Sequence, residues 1–179
     1  VHVLLFRIQM DFQANCRHTL SAGVSSLCTD GSEIPVYWNQ SKTALSYKFY
    51  KGTNNIIFFN EVLCQDNLAE VNLRIQELKA SVNLRESALK LLDGIFKALS
   101  VIRVEPDKFV KVFHTLVFTL CNYIERLGLE LDEVFDSHNF LYDVQKDSET
   151  LEDYRTWLVG LYNRINDIYD KKRKNRFSR

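Results

Sequence analysis

Glycine and proline are scarce in this chain: six Gly and two Pro in 179 residues. That is too few for the repeated tight turns of an all-β sandwich or barrel, and it favours helices. Cysteine is also sparse. Cys16, Cys28, Cys64 and Cys121 are far apart, which excludes the short Cys spacings of zinc and redox motifs. Cys121, among Val117, Leu120 and Ile124, reads as a small buried hydrophobe, and a reducing, cytoplasmic setting is the expectation. Gly23 and Gly31 stand alone, so there is no glycine-rich phosphate loop. No apolar run reaches membrane length. The longest uncharged stretch, Val112 to Ile124, includes His114 and Asn122 and is too short to span a bilayer. Val1 to Met10 lacks the charged, apolar and small-residue order of a signal peptide. The start without Met and the basic end read as those of a piece cut from a longer protein.

What is present is an uneven distribution of charge. Acidic and basic residues balance at 23 each, but six of the bases (Lys171, Lys172, Arg173, Lys174, Arg176 and Arg179) lie in the last nine positions. The first 170 residues therefore hold 17 bases against 23 acids, a net of −6. Such a body repels phosphate and makes direct nucleic-acid binding unexpected, leaving only the tail able to touch DNA or an anionic surface. The plainer reading of the tail is a solvated helix end or linker.

The chain has two textures, residues 1–63 and residues 64–179. In the first, Val1 to Phe12 reads as a helix packing through Val1, Leu4 or Leu5, Ile8 and Phe12, although it is apolar enough for a strand. His18 to Ser26 reads as a short buried strand, and Cys28 to Glu33 as a loop turning at Asp30-Gly31. Pro35 suits the first turn of a helix running to about Lys51 and stopped by Gly52. Ile56 to Phe59 is a β-rich run. The expected order is helix, strand, helix, strand: a small α/β fragment.

The second region steps by three and four residues, keeping one apolar stripe per helix. The stripes are Leu68, Val71, Ile75, Leu78 and Val82; then Leu84, Ala88, Leu91, Ile95, Ala98 or Leu99 and Ile102. Phe109, Phe113, Leu116, Leu120, Tyr123 and Leu127 form the third, and Leu151, Tyr154, Leu158, Leu161, Ile165 and Ile168 the fourth. Asn83 with Glu86 and Thr150 with Asp153 predict N-terminal caps. Pro106 opens the third helix and Gly128 closes it. Leu131 to Lys146 holds one or two short helices over the bundle end. The fold class is thus mainly α, a bundle of four or more helices preceded by the α/β fragment.

Reactive constellations are missing from the pattern. His2, His18, His114 and His138 are scattered, and no nucleophile, base and orienting carboxylate are marked together. His114, beside Phe113, reads as a satisfied core or interface histidine. Glu130, Asp132, Glu133 and Asp136 alternate with Leu129, Leu131 and Val134, as on the exposed face of a short helix, without a calcium-loop pattern. Tyr47-Lys48-Phe49-Tyr50-Lys51 interleaves aromatics and bases as a single-strand binder does. On a helix, however, these side chains diverge, and core packing accounts for them, as for Phe58, Phe59, Trp157 and Tyr162. No catalytic, cofactor or metal residue is assigned.

Thr19-Leu20-Ser21-Ala22-Gly23-Val24-Ser25 resembles the strand near the end of GGDEF-type domains, which have the diguanylate-cyclase fold. Ala44-Leu45, Tyr47-Lys48-Phe49-Tyr50-Lys51-Gly52, and Asn54, Ile56 and Phe58 are similar to that family's closing helix, glycine and edge strand. The likeness covers residues 1–62, the C-terminal half of such a domain. The family's nucleotide- and metal-binding residues would precede Val1, so none transfers. The Phe-Tyr-Lys-Gly helix end resembles a degenerate, non-catalytic subgroup found in AraC-type bacterial regulators, membrane-anchored or response-regulator-like. Phe109 to Leu129, and Thr150-Leu151-Glu152-Asp153-Tyr154 with Trp157-Leu158, resemble the helical linker ahead of the DNA-binding domain there. The resemblance implies a non-enzymatic signal-relay segment, dimeric, followed in its parent by a DNA-binding helix-turn-helix pair. The alternatives are a helical interaction module unrelated to transcription, and a fragment of a cyclic-dinucleotide synthase.

Overall fold

Apolar residues three and four apart fill most of this chain, and in the computed structural model they form helices. The structure describes residues 2–62 and 67–177; Val1, the Leu63–Asp66 connection with Cys64, and Ser178 and Arg179 lie outside them. The described residues are mainly helical, with one small two-stranded parallel sheet. Two compact units divide the chain, Val1–Gln65 and Asp66–Arg179.

The first unit runs α1 (His2–Cys16), β1 (Ala22–Val24), α2 (Ile34–Ser46), α3 (Lys48–Lys51) and β2 (Ile56–Phe58). The strands pair in parallel with Gly23 opposite Ile57, and a parallel pair requires a long crossover, supplied here by α2. Ile57 is buried with Ala44 and Tyr47. Gly23 is needed where α2 crosses β1: a Cβ there would stand 2.0 Å from the Ser41 carbonyl oxygen and 2.6 Å from the Leu45 nitrogen.

Several expectations for this unit are corrected. The strand expected over His18 to Ser26 is only Ala22–Val24, because β2 offers a partner over three residues alone. The helix expected to reach Lys51 unbroken divides at Tyr47, whose ψ of −1° interrupts the helical path before a last turn, Lys48–Lys51. Gly52 then ends it at φ +82°, a conformation that favours glycine. The run Ile56 to Phe59 stops at Phe58 and tightens into a 3₁₀ turn, Phe59–Glu61. Asp30 does serve as the turn signal, its carboxylate accepting from the Ser32 N–H at 2.9 Å.

The largest correction concerns α1. Leu4, Ile8 and Phe12 do not form a buried stripe: all three are exposed, Leu5 is half-buried, and the buried residue of this helix is Gln9. The Gln9 side chain donates to the Leu20 carbonyl at 2.8 Å, and His2 stacks on Phe58 with ring centres 3.8 Å apart. Apolar groups surround α1 on every side, so periodicity names no face. The two-stranded sheet is also too narrow to cover them.

The second unit contains α4 (Ala69–Ser81), α5 (Arg85–Ile102), α6 (Pro106–Arg126), the short α7 (Leu131–Val134) and α8 (Phe140–Asp147), and α9 (Leu151–Phe177). The four stripes supply its core: Val71, Ile75, Leu78 and Val82 of α4, which packs on α5, are buried, as are Ala88, Ile95 and Leu99, and the rings of Phe109, Phe113 and Tyr123 meet Tyr154 and Tyr162 of α9. Each fully buried Leu, Ile or Phe contributes about 1.5–3 kcal/mol, which makes this packing the dominant stabilising term. Leu92 and Phe96 widen the α5 stripe, whereas Leu84 is exposed and Leu68, Leu91, Leu127 and Ile168 are half-buried.

The ends of these helices show which local signals act. Pro106 opens α6 and Gly128 follows it at φ +67°. At the start of α9 the Thr150 hydroxyl accepts from the Asp153 N–H at 3.3 Å, and the Asp153 carboxylate accepts from the Thr150 N–H at 2.8 Å, a reciprocal cap. The cap expected at Asn83 does not form. The helix starts one residue later, at Arg85, with Leu84 in the cap position and no side-chain bond.

Candidate functional site: the tethers and cavity of the last helix

Helix α9 is 27 residues long and gathers the polar tethers of the second unit. Arg155 donates to Asp93 of α5 at 2.7 Å and to Glu152 at 2.6 Å. Two 2.7 Å bonds join Arg164 side-on to Asp136, in the turn between α7 and α8. Lys172 reaches Glu133 of α7 at 2.6 Å, and Arg85 reaches Asp167 at 3.3 Å. These pairs are open to solvent, where each is worth about 0–1 kcal/mol, so they orient α9 more than they stabilise it. The Arg164 guanidinium holds the Asp136 carboxyl below its usual range, and the hydrogen bond from Lys172 does the same for Glu133.

A buried chain of hydrogen bonds lies beneath them. The Tyr123 hydroxyl donates to the Asn166 side-chain oxygen at 3.0 Å, and the Asn166 amide donates to the Tyr162 carbonyl at 2.7 Å. The Tyr162 hydroxyl donates to the Val82 carbonyl at 2.8 Å. Burial pushes the phenols of Tyr123 and Tyr162 up from their ordinary value. The polar atoms of this chain satisfy one another, as buried groups must.

Beside the same helix, α7 and α8 border a solvent-open cavity of about 410 Å³. Gly160, exposed on α9, lines it, with nothing within 4 Å of where a Cβ would stand. Phe135 and Phe140 stack face to face at 3.8 Å, and Trp157 and Leu161 line the α9 side. Asp136, Asp143, Asp147 and Arg164 also line it.

The structure does not bring the four histidines together. His114, read from sequence as a satisfied core or interface histidine, is half-buried on α6, its ring nitrogen 2.9 Å from the Gln145 amide. His138 is exposed near Asp132, and His2 lies against Phe58. Cys121 is half-buried, and burial raises its thiol pKa, leaving it a poor nucleophile. Glu130, Asp132, Glu133 and Asp136 are exposed, as read from sequence, with the Glu133 carboxylate accepting from the Glu130 N–H at 3.1 Å at the start of α7. Among the described residues no cluster of His, Cys, Asp or Glu is arranged to hold a metal ion. Tyr47 and Phe49 are buried and Tyr50 half-buried, which removes the base-stacking arrangement that their spacing resembled. No helix of the described residues is long and apolar enough to cross a membrane.

No protein-family model, curated protein or solved structure matches the chain. Any functional reading therefore rests on its residues and their geometry. The cavity is what sequence reasoning missed. Phe140, Asp143, Val144 and Asp147 share one face of α8 by their spacing, mixing apolar and acidic groups, and that mixture is the one local sign of it.

Proposed function

We propose that this chain is a non-catalytic signal-relay and dimerisation segment of an AraC-type transcription regulator, with the second unit passing a conformational bias to a DNA-binding domain. The observation that carries the reading is the position of α9. Its tethers reach α5, α6, α7 and the end of α4, and its backbone continues as helix through the basic stretch Lys171–Phe177. A change in packing at any of those elements moves this helix, and a rigid helix carries the movement onward. The first unit supports self-association: Val3 and Phe6 of α1 are 84% and 60% exposed, and each strand of the sheet is paired on one side only. Exposed apolar surface and unpaired strand edges are surfaces that a second chain covers.

Two measurements test the reading. Sedimentation over a wide concentration range is expected to show a dimer, and a monomer throughout removes the dimerisation role. The coding sequence after Arg179 is expected to encode a pair of helix-turn-helix units, and a stop or an unrelated fold there removes the link to transcription.

A further inference from the structure

The cavity between α8 and α9 combines three features that together select a ligand class. We propose that it binds an organic cation with an aromatic or branched apolar body, such as a benzylammonium. This site goes beyond the relay reading and stands whether or not the chain belongs to a regulator.

The apolar contribution is geometric. A volume of about 410 Å³ lies within the range of small-molecule sites. It is lined by Gly160, where a Cβ would meet open space, and by Leu161, Trp157 and the stacked Phe135–Phe140 pair. Rings that line a cavity attract a cation placed over their faces. Electrostatics sets the sign of the ligand. Three carboxylates line the space, and the one lining base, Arg164, is held side-on by Asp136. Asp143 and Asp147 lack an ion-pair partner among the described residues, so the lining carries a net charge of −2. An anion is repelled, and a neutral apolar molecule gains nothing from the carboxylates. A bare metal ion finds no converging ligand set among the described residues. An organic cation satisfies both the rings and the acids.

The test uses the full chain carrying Trp38→Phe. Trp38 is exposed and lies in the other unit, and with two tryptophans in the sequence this leaves Trp157 as the reporter. Titration with benzyltriethylammonium is expected to change the Trp157 emission saturably, with benzyl alcohol binding at least about tenfold more weakly and benzenesulfonate not binding. Gly160→Leu puts a bulky side chain into the open space at this lining position and is expected to abolish the response. The double variant Asp143→Asn/Asp147→Asn, whose changes are at a helix surface, is expected to weaken binding about tenfold while leaving the circular dichroism unchanged. No saturable response to the cation overturns the proposal, as does unchanged binding in Gly160→Leu or equal affinity for the sulfonate.

Discussion

Replacing Tyr162 by Phe removes one hydroxyl from the centre of the second unit and changes almost nothing else. The side chain is fully buried, and its hydroxyl donates to the carbonyl of Val82, itself buried at the end of α4. Phe fills the same space, so no cavity term enters. What remains is a carbonyl taken out of water and left without its partner, a cost of about 1–3 kcal/mol. Tyr162→Ala would add the cavity and raise the loss to about 3–5 kcal/mol. Urea unfolding followed by circular dichroism reads this directly, as a lower midpoint at unchanged slope. In thermal unfolding, 1 kcal/mol corresponds to about 4 °C for a unit of this size. Tyr123→Phe breaks the neighbouring bond to Asn166, and the two changes should not add, because the two rings stack on each other with centres 6.1 Å apart. A Tyr162→Phe loss below about 0.3 kcal/mol would show that the hydroxyl reaches water or another partner, and would refute the chain of bonds described here.

Three further outcomes are expected. Gly23→Ala forces a methyl into the Ser41 carbonyl, so the sheet and α2 must separate, costing about 2 kcal/mol or more, read as the loss of native amide resonances from the first unit by NMR. Thr150→Ala removes half of the α9 cap and should cost about 1 kcal/mol at neutral pH. Its Asp153 partner has its pKa lowered below 3.8, chiefly by the Thr150 hydroxyl, so that stabilisation is complete above the unfolded value and fades as pH falls through the depressed one; wild type and variant should converge in acid melts. Tyr123, Tyr154 and Tyr162 are raised above 10.0 by burial. Their linkage runs the other way: stability is full below pH 10.0 and falls as pH rises beyond it, because the unfolded phenols ionise first. A melting temperature that holds steady well above that pH would contradict their burial.

Much of the second unit is legible in the order of its residues. The alternation of three and four residues names Val71, Ile75 and Leu78, and likewise Phe109 to Tyr123 and Leu151 to Ile165, because a stripe on one helix face has only one way to leave water. Pro106, Gly128 and the Thr150–Asp153 pair mark helix ends through local chemistry that tertiary contacts do not override. Where several faces or residues share the local signal, it no longer selects among them. Helix α1 has apolar residues on every face, and the long-range bond of Gln9 to the Leu20 carbonyl, which no spacing announces, goes with its burial. Asn83 and Leu84 compete for one cap position, and the helix starts at Arg85 with Leu84 in that position.

Side-chain spacing and backbone preferences act within a few residues. They are enough to make the chain mainly helical, to choose the buried faces of four helices and to end most of those helices where they end. The long-range partners come from the packed fold instead. Only there do Tyr123, Asn166, Tyr162 and Val82 share one line of hydrogen bonds, and only there do Gly160, Trp157 and Arg164 face Phe140, Asp143 and Asp147 across one cavity. Those partners are brought together by helix crossings, and a crossing leaves no periodicity in the sequence to read.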